Sequence, residues 1–213
     1  VDERAEAICL GQDDGWTENT RQALLRISFP YVIYTHEDFW ISAPVDTNAI
    51  EDYVNLLRRG VADYVRLYPS PSPDAPFADD DRVGSLGVEA SYRTSLQMAV
   101  WRKDVLLALL RQGEDPWEFE LNGTVRSRRY GERFMSVCRF DPDSPNPGHF
   151  GIEYVCTAVN KGRWSREGRA YAVAEELQID FSKRPFERWW HRTTWFGRWE
   201  HFKRRARKAK RQS

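Results

Sequence analysis

FPYVIYTHEDFWI, residues 29 to 41, decides how this chain is read. Tyr31 to Thr35 is β-branched and aromatic with no charge, the pattern of a buried strand. The run ends in two adjacent acids, Glu37 and Asp38, and returns at once to aromatics. A carboxylate is costly to bury unless it is paired or metal-bound. Open α/β sheets bind ligands at the carboxyl ends of their strands. Mg²⁺ is typically held by one or two carboxylates together with substrate phosphates. The stretch therefore predicts a metal–diphosphate site on Glu37 and Asp38. The competing reading is a strand end whose acids face water or cap a turn. His36 is read as a further ligand or, with more weight, as a structural ring facing a neighbouring helix.

Working outward, Thr17 to Ile27 reads as a helix capped by Thr17, and Cys9 to Gly11 as a short strand. Pro44 and Asp46 open a second helix, with Ile50, Tyr53, Val54 and Leu57 at helical spacing and Gly60 at its end. YVRLY, residues 64 to 68, reads as a strand with alternating faces. PSPSPDAPFADDD, residues 69 to 81, reads as a mobile acidic loop. Ser95 to Trp101 is a third strand candidate and Arg102 to Leu110 a helix. Asp115-Pro116-Trp117-Glu118 is a helix start with an N-cap acid, Pro in the first turn and Glu at the third position. DPDSPNPGH, residues 141 to 149, is a second loop. Ile152 to Val159 fits a strand or a helix, and Gly168 to Leu177 a helix. Interleaved helices and strands predict an α/β sheet.

Taken in order, PYVIYTHEDFWI, SYRTSLQMAVWRKDVLLALL, EDPWEFE and EYVCTAVNKGRW resemble the GT-A-fold nucleotide-sugar glycosyltransferases of bacterial polysaccharide clusters. The resemblance spans roughly Gly15 to Asp180. It implies a GT-A-like mixed sheet flanked by helices, over residues 1–182, lacking part of the N-terminal nucleotide-binding unit. Residues 183–213 form a basic, aromatic-rich segment. The implied activity is transfer of a sugar from a nucleotide-sugar donor to a glycan or lipid-linked acceptor, assisted by Mn²⁺ or Mg²⁺. The alternative is a non-catalytic α/β binding module with a basic, partner-binding tail.

The resemblance places Asp38 and Glu37 at the metal. It offers Glu118 or Glu120 as the base that takes the acceptor's proton. Glu118 is also the ideal capping-box residue, so Glu120 is preferred. Trp117 is either a platform for a sugar ring or a staple to the core. Arg93 can pair with a phosphate. Gln97, set in an apolar strand, needs a partner for its amide, either backbone or a sugar hydroxyl.

The composition, 41% hydrophobic and 30% charged over 213 residues, is that of a globular protein with one sizeable core. Its zero net charge hides an asymmetry. Residues 1–120 carry 11 Lys and Arg against 22 Asp and Glu, whereas residues 121–213 carry 21 against 10. Aromatic and basic residues interleave from Phe186 to the end, and Lys203 to Arg211 holds seven cations and no acid. That pattern fits the surface of an anionic membrane, or a segment whose rings pack on the domain. Nucleic acid is the least favoured partner, because no recognised motif accompanies the charge. Cys9, Cys138 and Cys156 form no CxxC pair or Cys/His cluster and are expected as buried, reduced thiols in a cytoplasmic or membrane-peripheral protein. No run of about 18 apolar residues is present.

Overall fold

A computed structural model describes residues 5–138 and 151–187. The chain divides into two compact units, residues 1–36 with 43–153, and residues 37–42 with 154–213.

The first unit opens with helix α1 (Trp16–Arg26) and strand β1 (Tyr31–Tyr34). Helix α2 (Thr47–Arg58) follows within this unit. Next come β3 (Tyr64–Arg66), β4 (Ala75–Pro76), β5 (Val83–Ser85) and β6 (Ala99–Arg102). Helices α3 (Lys103–Leu109) and α4 (Pro116–Ser127) lead to β7 (Phe134–Val137). The strands form one mixed sheet in the order β1-β6-β3-β7-β5-β4, in which β3 and β7 are parallel and the other pairs antiparallel.

Alternation along the strands sorts the core. Tyr64, Ala99, Trp101 and Phe134 join Leu24 of α1, Val105, Leu106 and Leu109 of α3, and Phe119 of α4 in one buried cluster. Tyr64 lies between Trp101 and Phe134, with ring centroids 4.2 and 5.3 Å away. Offset aromatic contacts of this kind add about 0.5–1.5 kcal/mol beyond area burial. Val65, Val100 and Met135, one residue out of step, are buried outside that cluster. Helix α2 contributes the buried Tyr53, Leu56 and Leu57 and contacts β6.

The second unit holds two short ribbons. Strand β2 (Trp40–Ile41) pairs antiparallel with β8 (Tyr154–Val155), and β9 (Val159–Asn160) with β10 (Arg163–Trp164). Helix α5 (Arg166–Ala174) follows, with Ser165 as its N-cap. Gly168 lets this helix press on the chain at Ala158, because a Cβ there would come within 2.7 Å of the Ala158 Cα. Trp40 sits between Trp164 and Tyr171, at 6.2 and 5.9 Å.

Several expectations are corrected. The segment Tyr31 to Thr35 is an edge strand, with Ile33 43% exposed, rather than a buried core strand. The helix over Thr17 to Ile27 starts at Trp16, with Gly15 as N-cap; Thr17 is buried and donates to the Glu114 carbonyl instead of capping. Cys9 to Gly11 is not a strand. YVRLY forms a strand only over Tyr64–Arg66, and it is buried on both faces. The acidic loop is anchored, because β4 lies inside it and pairs with β5. Strand β6 begins at Ala99, so Gln97 sits in a bend before it. Ile152 to Val159 carries β8 and the first residue of β9. Cys9 and Cys156 are exposed and Cys138 partly buried; all three are free thiols. The expected loop at residues 141–149 lies outside the described residues, as does the tail from Arg188. Among the described residues no helix is long and apolar enough to cross a membrane.

Candidate functional site

In the first unit the polar groups gather at the carboxyl ends of the parallel strands β3 and β7. Arg66 closes β3 and is fully buried. Its guanidinium donates to Ser136 Oγ at 3.2 Å, to the Tyr92 carbonyl at 3.4 Å and to the Pro71 carbonyl. Arg66 and Ser136 are register partners, so the parallel pairing itself brings these two side chains together. Tyr92 takes a φ of +54°, a left-handed value that costs energy outside glycine.

The Glu120 carboxylate enters this group from α4. Its Oε1 accepts from the Leu96 backbone N–H at 2.7 Å and from Ser95 Oγ at 3.1 Å. Burial pushes its pKa above the usual carboxylate range, and these two hydrogen bonds and the Arg66 charge offset only part of that. Burial and the nearby Glu120 charge also raise the Tyr92 phenol. The backbone approaches closely here. Thr94 Oγ1 donates to the Glu120 carbonyl at 3.3 Å, and a Cβ on Gly123 would come within 2.9 Å of Thr94 Oγ1. Glycine at position 123 is what lets residues 93–96 lie against α4. Among the described residues, both hydrogen bonds to this carboxylate fall on Oε1.

Glu118 is a cap. Asp115 Oδ1 accepts from the Glu118 N–H at 2.8 Å, and Glu118 Oε2 accepts from the Asp115 N–H at 3.0 Å. Glu118→Gln retains an acceptor for the Asp115 N–H. It is expected to change unfolding free energy by less than about 0.5 kcal/mol, whereas Asp115→Ala costs about 1 kcal/mol. Urea denaturation of the two variants measures the difference. Equal losses would mean that Glu118 does more than close the box.

Arg93 lies within the core. It is fully buried, its guanidinium carbon is 4.6 Å from the Phe134 ring centroid, and it donates to Ser127 Oγ at 3.1 Å, to the Leu86 carbonyl at 2.7 Å and to the Gly131 carbonyl. The Gln97 backbone N–H donates to Ser95 Oγ at 3.3 Å, next to the Glu120 contact. Trp117 is 67% exposed, so it does not staple α4 to the core.

In the second unit the turn after β1 places Asp38 and Glu37. Asp38 is half-buried: Thr157 Oγ1 donates to its Oδ2, and its carbonyl accepts from the Ala158 N–H at 2.8 Å. Glu37 is exposed, and its carbonyl accepts from Trp40 Nε1 at 3.2 Å. In the first unit His36 stands edge-on to Tyr34 at 5.2 Å. Among the described residues no three of His, Cys, Asp and Glu gather as a metal cluster. The donor set fits a divalent cation held jointly with phosphate oxygens, Asp38 being oriented by Thr157. It does not fit a cation held by these side chains alone.

Sequence reasoning placed Glu118 and Glu120 on one helix and told them apart. It missed Arg66, Tyr92, Ser95 and Thr157. An arginine inside YVRLY was a signal for the first; nothing in the sequence pointed to Thr157. No family model, curated protein or solved structure matches this chain.

Proposed function

We propose that this chain is a metal-assisted glycosyltransferase of GT-A type, acting on a nucleotide-sugar donor and a glycan or lipid-linked acceptor. The observation that carries the reading is the Glu120 carboxylate. It is held by one oxygen at the carboxyl ends of parallel strands, beside a buried arginine, with its pKa raised by burial. A carboxylate so placed is a better proton acceptor at neutral pH than a solvated one.

In the proposed reaction the acceptor hydroxyl gives its proton to Glu120 Oε2 as its oxygen attacks the donor's anomeric carbon. The bond from that carbon to the diphosphate breaks, and the nucleoside diphosphate leaves. Ser95 and the Leu96 N–H hold the carboxylate in place through Oε1. Arg66 supports the turn that carries Tyr92 and keeps a positive charge near Glu120. Within the second unit, Asp38 and Glu37 would be the residues to hold a divalent cation, with Thr157 fixing the Asp38 rotamer. When bound, Mn²⁺ or Mg²⁺ supplies neutralisation of charge on the leaving diphosphate.

Because the protein donors are few, cation and nucleotide are expected to bind together. Titration of the full chain with several nucleoside diphosphates should show binding that requires Mn²⁺, with little binding of Mn²⁺ alone. Asp38→Ala and Glu37→Ala should each weaken that binding at least about tenfold, the loss of one charge-assisted contact. Cooperative unfolding should be retained. Nucleotide binding unchanged by both substitutions, or no binding with metal present, would reject the assignment and leave the binding-module reading.

A further inference from the structure

At the amino end of β3 the first unit holds a cavity that the proposed reaction does not use. Register places it. Tyr31 of β1 lies opposite Arg102 at the end of β6, and Arg102 stands one residue beyond the Trp101–Tyr64 pair. Arg66, next to the Glu120 group, closes the other end of β3. The cavity has a volume of about 520 Å³ and is walled by β1, the loop before it, the end of α2 and the start of α3. Small-molecule sites are clefts of roughly 300–1,000 Å³.

The charges of the wall do not cancel. Its carboxylate, Asp104, is held by Arg102, Nε to Oδ1 at 3.2 Å and Nη2 to Oδ2 at 2.6 Å. Arg102 also donates to Asp63 at 3.2 Å, so its own charge is fully engaged. Arg58 donates through Nη1 to Glu51 and Asn55, bonds that do not use its Nε and Nη2 groups. Lys103 has no carboxylate partner among the described residues. Its ammonium donates to the Ile27 carbonyl, at the peptide that leads into Ser28 on the wall. An ammonium has three protons to donate, so two remain for a ligand. Ser28 and Tyr31 bring hydroxyls to the same wall, and Pro30 and the buried Leu57 bring apolar surface.

We propose that this cavity binds a small phosphomonoester, its phosphate held by Lys103, Arg58 and Ser28 and its organic body lying against Tyr31, Pro30 and Leu57. A phosphate group carries roughly −1.5 to −2 charge at pH 7 and three acceptor oxygens. It can accept from an ammonium, a guanidinium and a hydroxyl together, and such charge-assisted bonds are the strong ones. The unmatched charge of Lys103 calls for an anion, and the apolar part of the wall calls for more than an inorganic one. No metal is needed, because the positive charge comes from the protein. That separates this cavity from the acidic turn at Asp38. The inference is independent of the proposed reaction.

Calorimetric titration of the full chain with phenyl phosphate, inorganic phosphate and benzoate, in metal-free buffer, tests it. Phenyl phosphate should bind most tightly, since inorganic phosphate lacks the apolar body and benzoate has one oxygen and about one charge fewer. Lys103→Met should weaken phenyl phosphate at least about tenfold, the loss of a charge-assisted contact. Lys103 also anchors the Ile27 carbonyl, so unfolding of that variant is measured alongside. Arg58 is half-exposed and its pair with Glu51 is a surface one, so Arg58→Gln should weaken binding with stability unchanged. Asp38→Ala should leave phenyl phosphate binding as it is. No binding of phenyl phosphate, equal affinity for benzoate, or binding indifferent to both Lys103→Met and Arg58→Gln overturns the proposal. So does binding that requires Mn²⁺ and falls in Asp38→Ala, because the phosphate would then sit at the acidic turn.

Discussion

Glu120→Gln should lose about 10²–10⁴-fold in sugar transfer while gaining stability at neutral pH. Both effects come from one feature. The amide oxygen of Gln can still accept from Leu96 N–H and Ser95 Oγ, so the local geometry survives. What disappears is the ability to take a proton, and with it the cost of an ionised group withdrawn from water. The folded-state pKa lies above the unfolded value, so the native state binds the proton more tightly. That contribution to stability is fully present below the ordinary carboxylate pKa. It is lost as pH rises through the raised value. The variant's advantage should therefore be absent in acid and appear as pH climbs through that window. Denaturant titration at a series of pH values, beside a transfer assay, reads both halves. Wild-type turnover by the variant would remove Glu120 from the reaction, and a stability difference that shrinks with rising pH would contradict its burial.

Arg93→Ala is expected to cost about 3–5 kcal/mol of stability, through a cavity and buried acceptors left without a donor. Its guanidinium serves Ser127 Oγ and two backbone carbonyls, Leu86 and Gly131, while lying over Phe134. Burial lowers its pKa below the usual arginine value, a cost the hydrogen bonds and the ring offset. Arg93→Lys should recover only part of the loss, because an ammonium lacks the planar fork that reaches three separated oxygens. Thermal and denaturant unfolding check this directly. A variant of unchanged stability that no longer binds a nucleoside diphosphate would instead favour the phosphate-binding role read from the sequence.

Local signals were the legible ones. Asp46 capped α2 as its position suggested, accepting from Asn48 and Ala49 N–H, and Asp115 with Glu118 closed the capping box. Such motifs depend on residues three or four apart, so the sequence displays them whole. The interleaving of helices and strands also carried the α/β class. Burial was less legible. FPYVIY is apolar enough for a core strand, yet it lies at the sheet edge, because edge position depends on which strands pair and not on the composition of one. Arg93 looked available because a cation seldom occupies a core. Its enclosure depends on Leu86, Ser127 and Gly131, which are distant in sequence. The Glu120 environment was half visible: the acid was singled out, but Ser95, Tyr92 and Arg66 reach it only through sheet register and the close approach at Gly123. Thr157, the partner of Asp38, gave no sign at all.

The pairing of Trp40–Ile41 with Tyr154–Val155 has a consequence for the order of folding. The contact that orients Asp38 joins residues 119 apart in sequence, across nearly the whole first unit. The entropy of closing a flexible loop grows only as about (3/2)RT ln n, but it must be met before the contact returns anything. Contacts of such long sequence separation are slow to form, so the acidic turn is expected among the last parts to order. During synthesis a nascent chain holds Glu37 and Asp38 for more than a hundred residues before Thr157 emerges to fix one of them.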